Sequence, residues 1–295
     1  MRHFLEIDGL TPEELGHVLD LSEQAQPSQV LAGRGAALVF EKPSLRTRSS
    51  SELAVVQLGG HPVTIGAAEV GLGVRETPED VVRTLAGYHA VVAARVFEHE
   101  KLERMAALDV VPVVNLLSDL AHPVQALADL LTIRQRFGSF AGRTVAYVGD
   151  PNNVSRSLSF GAALTGMTMR IASPAGYPCP EVDVDHVRAL GGTIELTDRP
   201  SEAVAGADVV YTDVWASMGK EDEAEARRRA FEGFTIDSRL LEGAAPGAVF
   251  LHCLPAHRGE EVSAELLESA RSLVWQQAEN RMHTMRGLLS FLLAA

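Results

Sequence analysis

The sequence predicts an α/β protein of two domains, each with a mostly parallel sheet flanked by helices, the two joined by bridging helices. The first observation is size, because 295 residues with 46% hydrophobic content are enough to build two cores. The second is alternation. Short β-branched runs bounded by turn residues recur between longer segments of helical period, which is typical of parallel strands linked by crossover helices.

Nine segments are predicted to be strands, in two groups separated by a long helical segment. Each is a short apolar run that ends at turn-forming or polar residues. In chain order they are Ala36–Phe40, Pro62–Ile65, Ala90–Val96 and Pro112–Leu117, then Thr144–Val148, Thr168–Ala172, Thr193–Leu196, Val209–Thr212 and Val249–Leu254.

Two helices are predicted to connect the domains. The segment His122–Phe137 carries an apolar stripe and is followed by Gly138, a residue common after helix ends. A last helix, about Glu279–Leu292, is apolar on one side and is expected to pack back onto the first domain. The predicted domains are residues 1–133 with the C-terminal helix 279–295, and residues 134–278.

Composition excludes several classes of protein. A net charge of −13 disfavours nucleic acid and anionic lipid as partners. The longest apolar stretches fall short of the ~20 residues of a membrane-spanning helix, so the chain is predicted to be soluble and without a membrane partner. Two cysteines, Cys179 and Cys253, form no paired motif, which favours a reducing cytoplasm. The mixed charge run Lys220–Arg229 predicts a solvated helix or lid.

An anion site is predicted directly after the first strand. Ser44-Leu45-Arg46-Thr47-Arg48 stands where a helix begins, so backbone N–H groups, the helix dipole and two guanidiniums can converge on a phosphate. The alternative is that Ser44 only caps the helix and the arginines are solvated. Later segments favour the anion site, because other strand ends bring related side chains toward the same crevice.

Arg95 and the segment His122-Pro123-Val124-Gln125 also follow predicted strands. His122 and Gln125 are three residues apart on one helix and share a face, so an imidazole and an amide can hold one small polar group. The alternatives are a surface arginine and a helix cap.

The second half of the chain offers a separate set of polar residues at strand ends. Gly149-Asp150-Pro151-Asn152-Asn153 lacks the glycine spacing of a dinucleotide site, so a nicotinamide cofactor and a dehydrogenase are the weakest hypothesis. Asp213, in a segment that also holds Ser217 and Met218, calls for a cationic substrate unless it only caps a turn.

The last strand ends in His252-Cys253-Leu254-Pro255. One cysteine with nearby histidines falls short of a tetrahedral metal site, so no metal is predicted. Cys253 has no evident base to make it a nucleophile, and it is expected to line the substrate pocket.

These motifs resemble the aspartate and ornithine carbamoyltransferase family along essentially the whole chain. Ser44-x-Arg46-Thr47-Arg48 and His122-Pro123-x-Gln125 are similar to the motifs of any carbamoyltransferase. The ornithine branch is favoured by three further segments, which are Asp213-x-Trp215-x-Ser217-Met218-Gly219, His252-Cys253-Leu254-Pro255 and Ala278-Glu279-Asn280-Arg281.

The resemblance implies transfer of the carbamoyl group from carbamoyl phosphate to the side-chain amine of ornithine, giving citrulline and phosphate in arginine metabolism. The active site would lie between the domains of a homotrimer, or a multiple of one, and would need no metal or organic cofactor. The implied carbamoyl phosphate residues are Ser44, Leu45, Arg46, Thr47, Arg48, Arg95, His122, Gln125, Cys253, Leu254 and Arg281. The implied ornithine residues are Asn153, Asp213, Ser217 and Met218, and the implied catalytic set is Arg46, Arg95, His122, Gln125, Asp213, Cys253 and Arg281.

Three positions depart from the family pattern. Leu45 replaces the commoner Thr, Pro151 stands where Gly is usual, and Gly71 stands where relatives often carry a residue that reaches the next subunit's site. Pro151 and Gly71 keep open a carbamoyltransferase for putrescine, lysine or an acylated ornithine. A non-catalytic binding homologue is the alternative from another class.

Overall fold

The computed structural model describes residues 1–216 and 221–294. The chain divides into two compact units, Met1–Ala128 with Glu279–Ala295 as unit 1, and Asp129–Ala278 as unit 2. The boundary between Ala128 and Asp129 lies inside the helix Pro123–Phe137. The boundary at 133/134 predicted from the sequence lies inside the same helix. Two predicted site residues, Ser217 and Met218, lie outside the described residues.

Unit 1 is built on a four-stranded parallel sheet in the order β2-β1-β3-β4. Its strands are β1 Gly35–Phe40, β2 His61–Gly66, β3 His89–Arg95 and β4 Val113–Leu117. The central strands are mostly apolar because helices cover both faces of such a sheet, whereas β2, at the edge, is only half-buried. The sheet order reverses between β1 and β3, which is where an open α/β sheet binds ligands at its carboxyl edge.

The helices of unit 1 begin at residues suited to helix starts. Thr11 forms a reciprocal capping box with Glu14, and Thr77 caps a helix whose first residue is Pro78. The helices are α1 Pro12–Glu23, α2 Leu45–Gln57, α3 Ala67–Val70, α4 Pro78–Ala86, α5 His99–Ala106 and the first part of α6 Pro123–Phe137.

Unit 2 is built on a five-stranded parallel sheet in the order β7-β6-β5-β8-β9. The strands are β5 Thr144–Val148, β6 Thr168–Ala172, β7 Thr193–Thr197, β8 Val209–Thr212 and β9 Val249–His252. The order reverses between β5 and β8, so the loops after these two strands meet at the ligand-binding edge.

Helices surround this second sheet and enclose an apolar core that includes Trp215, Phe231 and Phe250. They are α7 Asn153–Thr165, α8 Glu181–Ala189, α9 Pro200–Val204, α10 Ala224–Ala230, α11 Ser238–Glu242, α12 Ala264–Leu267 and the start of α13 Val274–Leu293, which continues into unit 1.

The predicted fold class is confirmed, and each of the nine predicted strands is present within the described residues. Two predicted ends were wrong by two residues or more. The last strand stops at His252 instead of Leu254, because Leu254 adopts a left-handed φ of 59° and leaves the extended conformation. The last helix begins at Val274 instead of about Glu279, because Val274 and Trp275 are poor helix formers that hide its start in the sequence.

The charge run includes α10 within its described part, and most of that helix is solvated, as expected. Among the described residues, no helix is both long enough and apolar enough to cross a membrane.

Candidate active-site clusters

The loop from β1 to α2 forms the first cluster in unit 1. Ser44 caps α2, because the Thr47 N–H donates to its hydroxyl (3.4 Å) and the Ser44 hydroxyl donates to the Thr47 Oγ1 (3.1 Å). Arg46 is half-buried on the first turn, whereas Arg48 is exposed and ion-pairs with Glu52 at 2.8 Å. Ser44 is thus a helix cap, as one interpretation of the sequence held. The cap also places hydroxyls and Arg46 around the open N–H groups of the helix, which is the arrangement that binds anions.

Glu41 ties this loop to the end of β3. Its backbone N–H donates to the Arg95 carbonyl (2.9 Å), and its carboxylate accepts from the Phe97 N–H (2.7 Å) and from Lys101 Nζ (2.8 Å). Lys101 and Glu41 are both largely buried, so their ion pair is weakly screened by solvent. The loop that carries Arg46 and the strand end that carries Arg95 therefore share one anchor.

A buried polar cluster joins three helices of unit 1. Arg281 on α13 donates from Nη1 to Gln125 Oε1 (2.6 Å) and from Nη2 to Thr47 Oγ1 (3.5 Å). The exposed fractions of His122, Gln125 and Arg281 are 5%, 1% and 3%. These acceptors hold the buried guanidinium in place, and its positive charge favours an anionic ligand.

His122 is held in its neutral form. Burial lowers its pKa well below the ordinary 6.5, and the positive charges of Arg281 and Arg95 lower it further. A neutral imidazole keeps one N–H for donation to a carbonyl oxygen while its other nitrogen remains an acceptor. Arg95 and Arg281 lie close enough to His122 to lower its pKa, and the three side chains form an electropositive cluster suited to an oxyanion.

In unit 2, Asp213 lies at the centre of a hydrogen-bonded cluster at the carboxyl end of β8. Its Oδ1 accepts from Cys253 Sγ (3.0 Å) and from the Val214 N–H (2.8 Å), while its Oδ2 accepts from Asn152 Nδ2 (2.8 Å). The carboxylate is 6% exposed. A buried, fixed carboxylate is suited to a cationic partner such as an ammonium group.

A buried ion pair anchors the loops after β5 and β8, the second of which carries Asp213. Arg227 on α10 pairs with Asp150 (2.9 Å), donates to the Trp215 carbonyl (3.0 Å) and pairs with Glu223 (2.9 Å). Its guanidinium also lies over the ring of Tyr177. Removing one partner of such a pair leaves a buried charge, so the loops after β5 and β8 depend on Arg227 for their conformation.

The segment after β9 is organised by a second buried pair, His252 and Glu261. Leu254 N–H donates to His252 Nδ1 (2.8 Å), so His252 carries its proton on Nε2 and donates it to Glu261 (3.1 Å). Glu261 also accepts from the His257 N–H (2.6 Å). These bonds fix Leu254 in its left-handed conformation and hold Cys253 toward Asp213.

Potential metal ligands are close together at two places in unit 2. In each place three residues contribute one ligand atom, and the three atoms lie within 4.8 Å of one another. The first group is Asp213, His252 and Cys253, and the second is His257, Glu260 and Glu261. Both ring nitrogens of His252 already have hydrogen-bond partners, however. We assign no metal, and the sequence-based expectation of none stays a prediction.

Comparison with known proteins decides the family. The aspartate/ornithine carbamoyltransferase carbamoyl phosphate-binding domain matches residues 2–135, and the Asp/Orn-binding domain of the same family matches residues 141–292. The chain belongs to the aspartate/ornithine carbamoyltransferase family.

Full-length relatives within the family are similar throughout. The chain is 51% identical to the ornithine carbamoyltransferase of Acidothermus cellulolyticus over 304 aligned residues, covering 100% of this chain and 97% of the relative. Solved ornithine carbamoyltransferases have the same fold. That of Pyrococcus furiosus superposes with a TM-score of 0.95 at 41% identity, covering 100% and 97% of the two chains, and that of Thermus thermophilus with 0.90 at 46% identity, covering 98% of each.

The structure brings most of the predicted residues of this carbamoyltransferase-family chain either into the clusters of unit 1 or into the cluster around Asp213 in unit 2. Leu45 presents an exposed side chain, so only its backbone N–H could reach a phosphate at the helix start. Asn153 is the first residue of α7 and is half-buried. Gly71 ends α3 with a left-handed φ of 54°, and a Cβ there would come within 2.7 Å of Arg75 Cβ, so this departure from the family has a local backbone reason.

Several residues of the clusters were not predicted from the sequence. Asn152 contacts Asp213, Arg227 and Asp150 anchor its loop, and Glu261 orients His252. Asn152 and Asp150 stand in the segment that was singled out, but spacing alone does not tell which side chain faces the next strand end. Arg227 lies in the mixed charge run, which is typical of solvated surface, and its partner Asp150 is distant in sequence. Glu261, the partner of His252, lies nine residues further along the chain.

Proposed function

We propose that this protein transfers the carbamoyl group of carbamoyl phosphate to the side-chain amine of L-ornithine, giving L-citrulline and phosphate. The observation that carries the proposal is full-length similarity to ornithine carbamoyltransferases at up to 51% identity. The two buried clusters fit this activity, since one is electropositive and the other presents a carboxylate held by hydrogen bonds.

Unit 1 is proposed to bind carbamoyl phosphate. Ser44, the Leu45 N–H, Arg46, Thr47 and Arg48 hold the phosphate, supported by the helix start and the guanidiniums. In the same proposal, the carbonyl oxygen is polarised by Thr47, Arg95 and His122, while Gln125, Arg281 and the Leu254 carbonyl orient the carbamoyl group. Preorganised donors there stabilise the oxyanion that forms on attack.

Unit 2 is proposed to bind ornithine. Asn153, Asp213, Ser217 and Met218 are assigned to its amino acid end, and Asp213 with Cys253 lies near the attacking amine. The hydrogen-bonded carboxylate at Asp213 supports this assignment, because it fits an ammonium group.

The proposed reaction needs no redox step. The neutral side-chain amine, whose free pKa is about 10.4 by analogy with lysine, attacks the carbonyl carbon. The C–N bond forms, the bond from carbon to the phosphate oxygen breaks, and the departing phosphate takes the proton released by the amine. The residues present supply binding, orientation and charge stabilisation.

Domain roles, assembly and location belong to the same proposal. Residues 1–133 with 279–295 form the carbamoyl phosphate domain, and residues 134–278 form the ornithine domain. A cytoplasmic homotrimer that acts in arginine biosynthesis is proposed. Self-association is supported by unit 1, where α2 exposes Leu53 and Val56 and where β2 forms a half-buried sheet edge.

The test is product formation from carbamoyl phosphate with separate amines, following both phosphate and the carbamoylated product. The amines are ornithine, putrescine, lysine, N-acetylornithine and aspartate. Citrulline from ornithine alone is expected. Turnover only with another amine would change the proposed acceptor, a possibility that Pro151 and Gly71 keep open. No turnover with any amine would favour a binding protein.

A further inference from the structure

Asn152 has two roles at the junction of β5 and α7. Its Oδ1 accepts from the Val154 N–H (2.9 Å) and the Ser155 N–H (3.2 Å), which caps α7. Its Nδ2 donates to Asp213 Oδ2 (2.8 Å). The opposite orientation of the amide would place an NH₂ against two N–H groups and an oxygen against a carboxylate, so the hydrogen-bond pattern allows one orientation only.

The position of Asn152 is fixed independently of its side chain. The hydroxyl of Tyr147 donates to the Asp150 carbonyl (3.0 Å), and Arg227 pairs with the Asp150 carboxylate (2.9 Å). The backbone N–H of Asn152 donates to Ser155 Oγ (2.9 Å). A change at Asn152 that keeps the cap therefore leaves the loop in place, and the contact with Asp213 can be removed by itself.

The three described donors leave Asp213 one direction for a further partner. An ionised carboxylate has about four acceptor positions. Cys253 and the Val214 N–H occupy Oδ1, and Asn152 occupies Oδ2. Among these contacts, the acceptor position that remains is on Oδ2. Asn152 donates to the same oxygen and therefore sets the direction in which that position points.

We infer that Asn152 is a positioning residue that aims Asp213 at the amine of the acceptor and so determines ornithine binding. The inference rests on the proposed function. It assigns to Asn152 a role distinct from that of its neighbour Asn153, which is proposed to touch the substrate itself.

The experiment compares Asn152→Ser and Asn152→Asp with the wild-type enzyme. Serine and aspartate both cap helices as well as asparagine does, but neither donates to Asp213 as the amide does. The matched control is Asp237→Ser, which changes the cap of α11 at an exposed site. Steady-state constants for each substrate are measured, with the thermal midpoint of every variant.

For Asn152→Ser we expect KM for ornithine to rise on the order of 10-fold, the size of one hydrogen bond to a charged group, while KM for carbamoyl phosphate stays unchanged. Asn152→Asp should show the same split between the two KM values, because it too lacks the amide donor. Asp237→Ser should match the wild type in all kinetic constants.

A wild-type KM for ornithine in both Asn152 variants would overturn the inference, as would a parallel rise in KM for both substrates accompanied by a lower thermal midpoint. Failure of the proposed function looks different, because the wild-type enzyme itself would then form no citrulline.

Discussion

Arg46 is the single side chain on which we expect phosphate binding to depend most. It is half-buried at the start of α2, whereas Arg48 is drawn to Glu52 at the surface. Arg46→Ala should lower kcat/KM for carbamoyl phosphate about 100-fold or more while the fold stays intact, because a charge-assisted contact to the transferred group is lost. The exposed Arg34, before the amino end of β1, provides the control variant Arg34→Ala. Near-normal turnover in Arg46→Ala would refute the phosphate role.

His122 makes the stability of the protein sensitive to acid. Its pKa is far below 6.5 when folded, so as pH falls below that value the unfolded chain binds a proton that the folded chain does not. Stability is therefore lost as pH falls from 6.5 toward the folded pKa. Between about pH 7.5 and pH 5.5 the wild type should lose about 1 kcal/mol more unfolding free energy than His122→Asn. Denaturant unfolding at both pH values measures this, and equal losses would contradict the neutral state of His122.

The sequence predicted some residues of the sites and did not predict others. Arg46, His122 and Asp213 were predicted because each lies between the end of a strand and the start of the next helix or close to it, and parallel strands end at a common edge. Asn152 was missed because two adjacent asparagines look equivalent until the backbone shows that one caps α7 and the other is its first residue. The contacts of a side chain depend on backbone direction, which local spacing does not fix.

At the scale of elements, α13 approaches α1 closely at Gly287. A Cβ at this position would lie 2.6 Å from the Val18 carbonyl oxygen and 2.7 Å from the Ser22 nitrogen, both backbone atoms that cannot rotate away. Gly287→Ala should therefore destabilise the protein by about 2 kcal/mol through overpacking. Gly16→Ala on α1 meets nothing within 4 Å and should be neutral or stabilising by up to about 1 kcal/mol. Thermal unfolding compares them, and equal midpoints would contradict the close packing.

Whole elements were predicted better than their ends. The strands were found because runs of β-branched and small apolar residues between turns are specific to buried parallel sheets. The end of β9 was misplaced because Leu254 is apolar yet adopts a left-handed conformation that His252 stabilises. The start of α13 was misplaced because Val274 and Trp275 are poor helix formers, and Val274 enters the helix with the support of packing in the core.

At the scale of the whole molecule, the exposed apolar side of α2 predicts self-association. Val56 is 52% exposed, and Leu53 lies beside it on the same helix. In light scattering, the wild type should have three times the 31.6 kDa mass of one chain, or a multiple of that. Val56→Glu should shift the mass toward one chain, because a charge would be buried at the interface. Val182→Glu, exposed in unit 2, should keep the wild-type mass. An unchanged mass in Val56→Glu would place the interface elsewhere.

The discontinuity of unit 1 has a consequence for biosynthesis. Residues 1–128 leave the ribosome first, but Arg281 belongs to the same unit and follows 150 residues of unit 2, 129–278. At roughly 5 to 20 residues per second, Arg281 arrives some 8 to 30 s after residue 128. Unit 2, contiguous in sequence, has time to fold in that interval. A nascent chain therefore waits for its last helix with Gln125 and Thr47 still lacking the guanidinium that joins them.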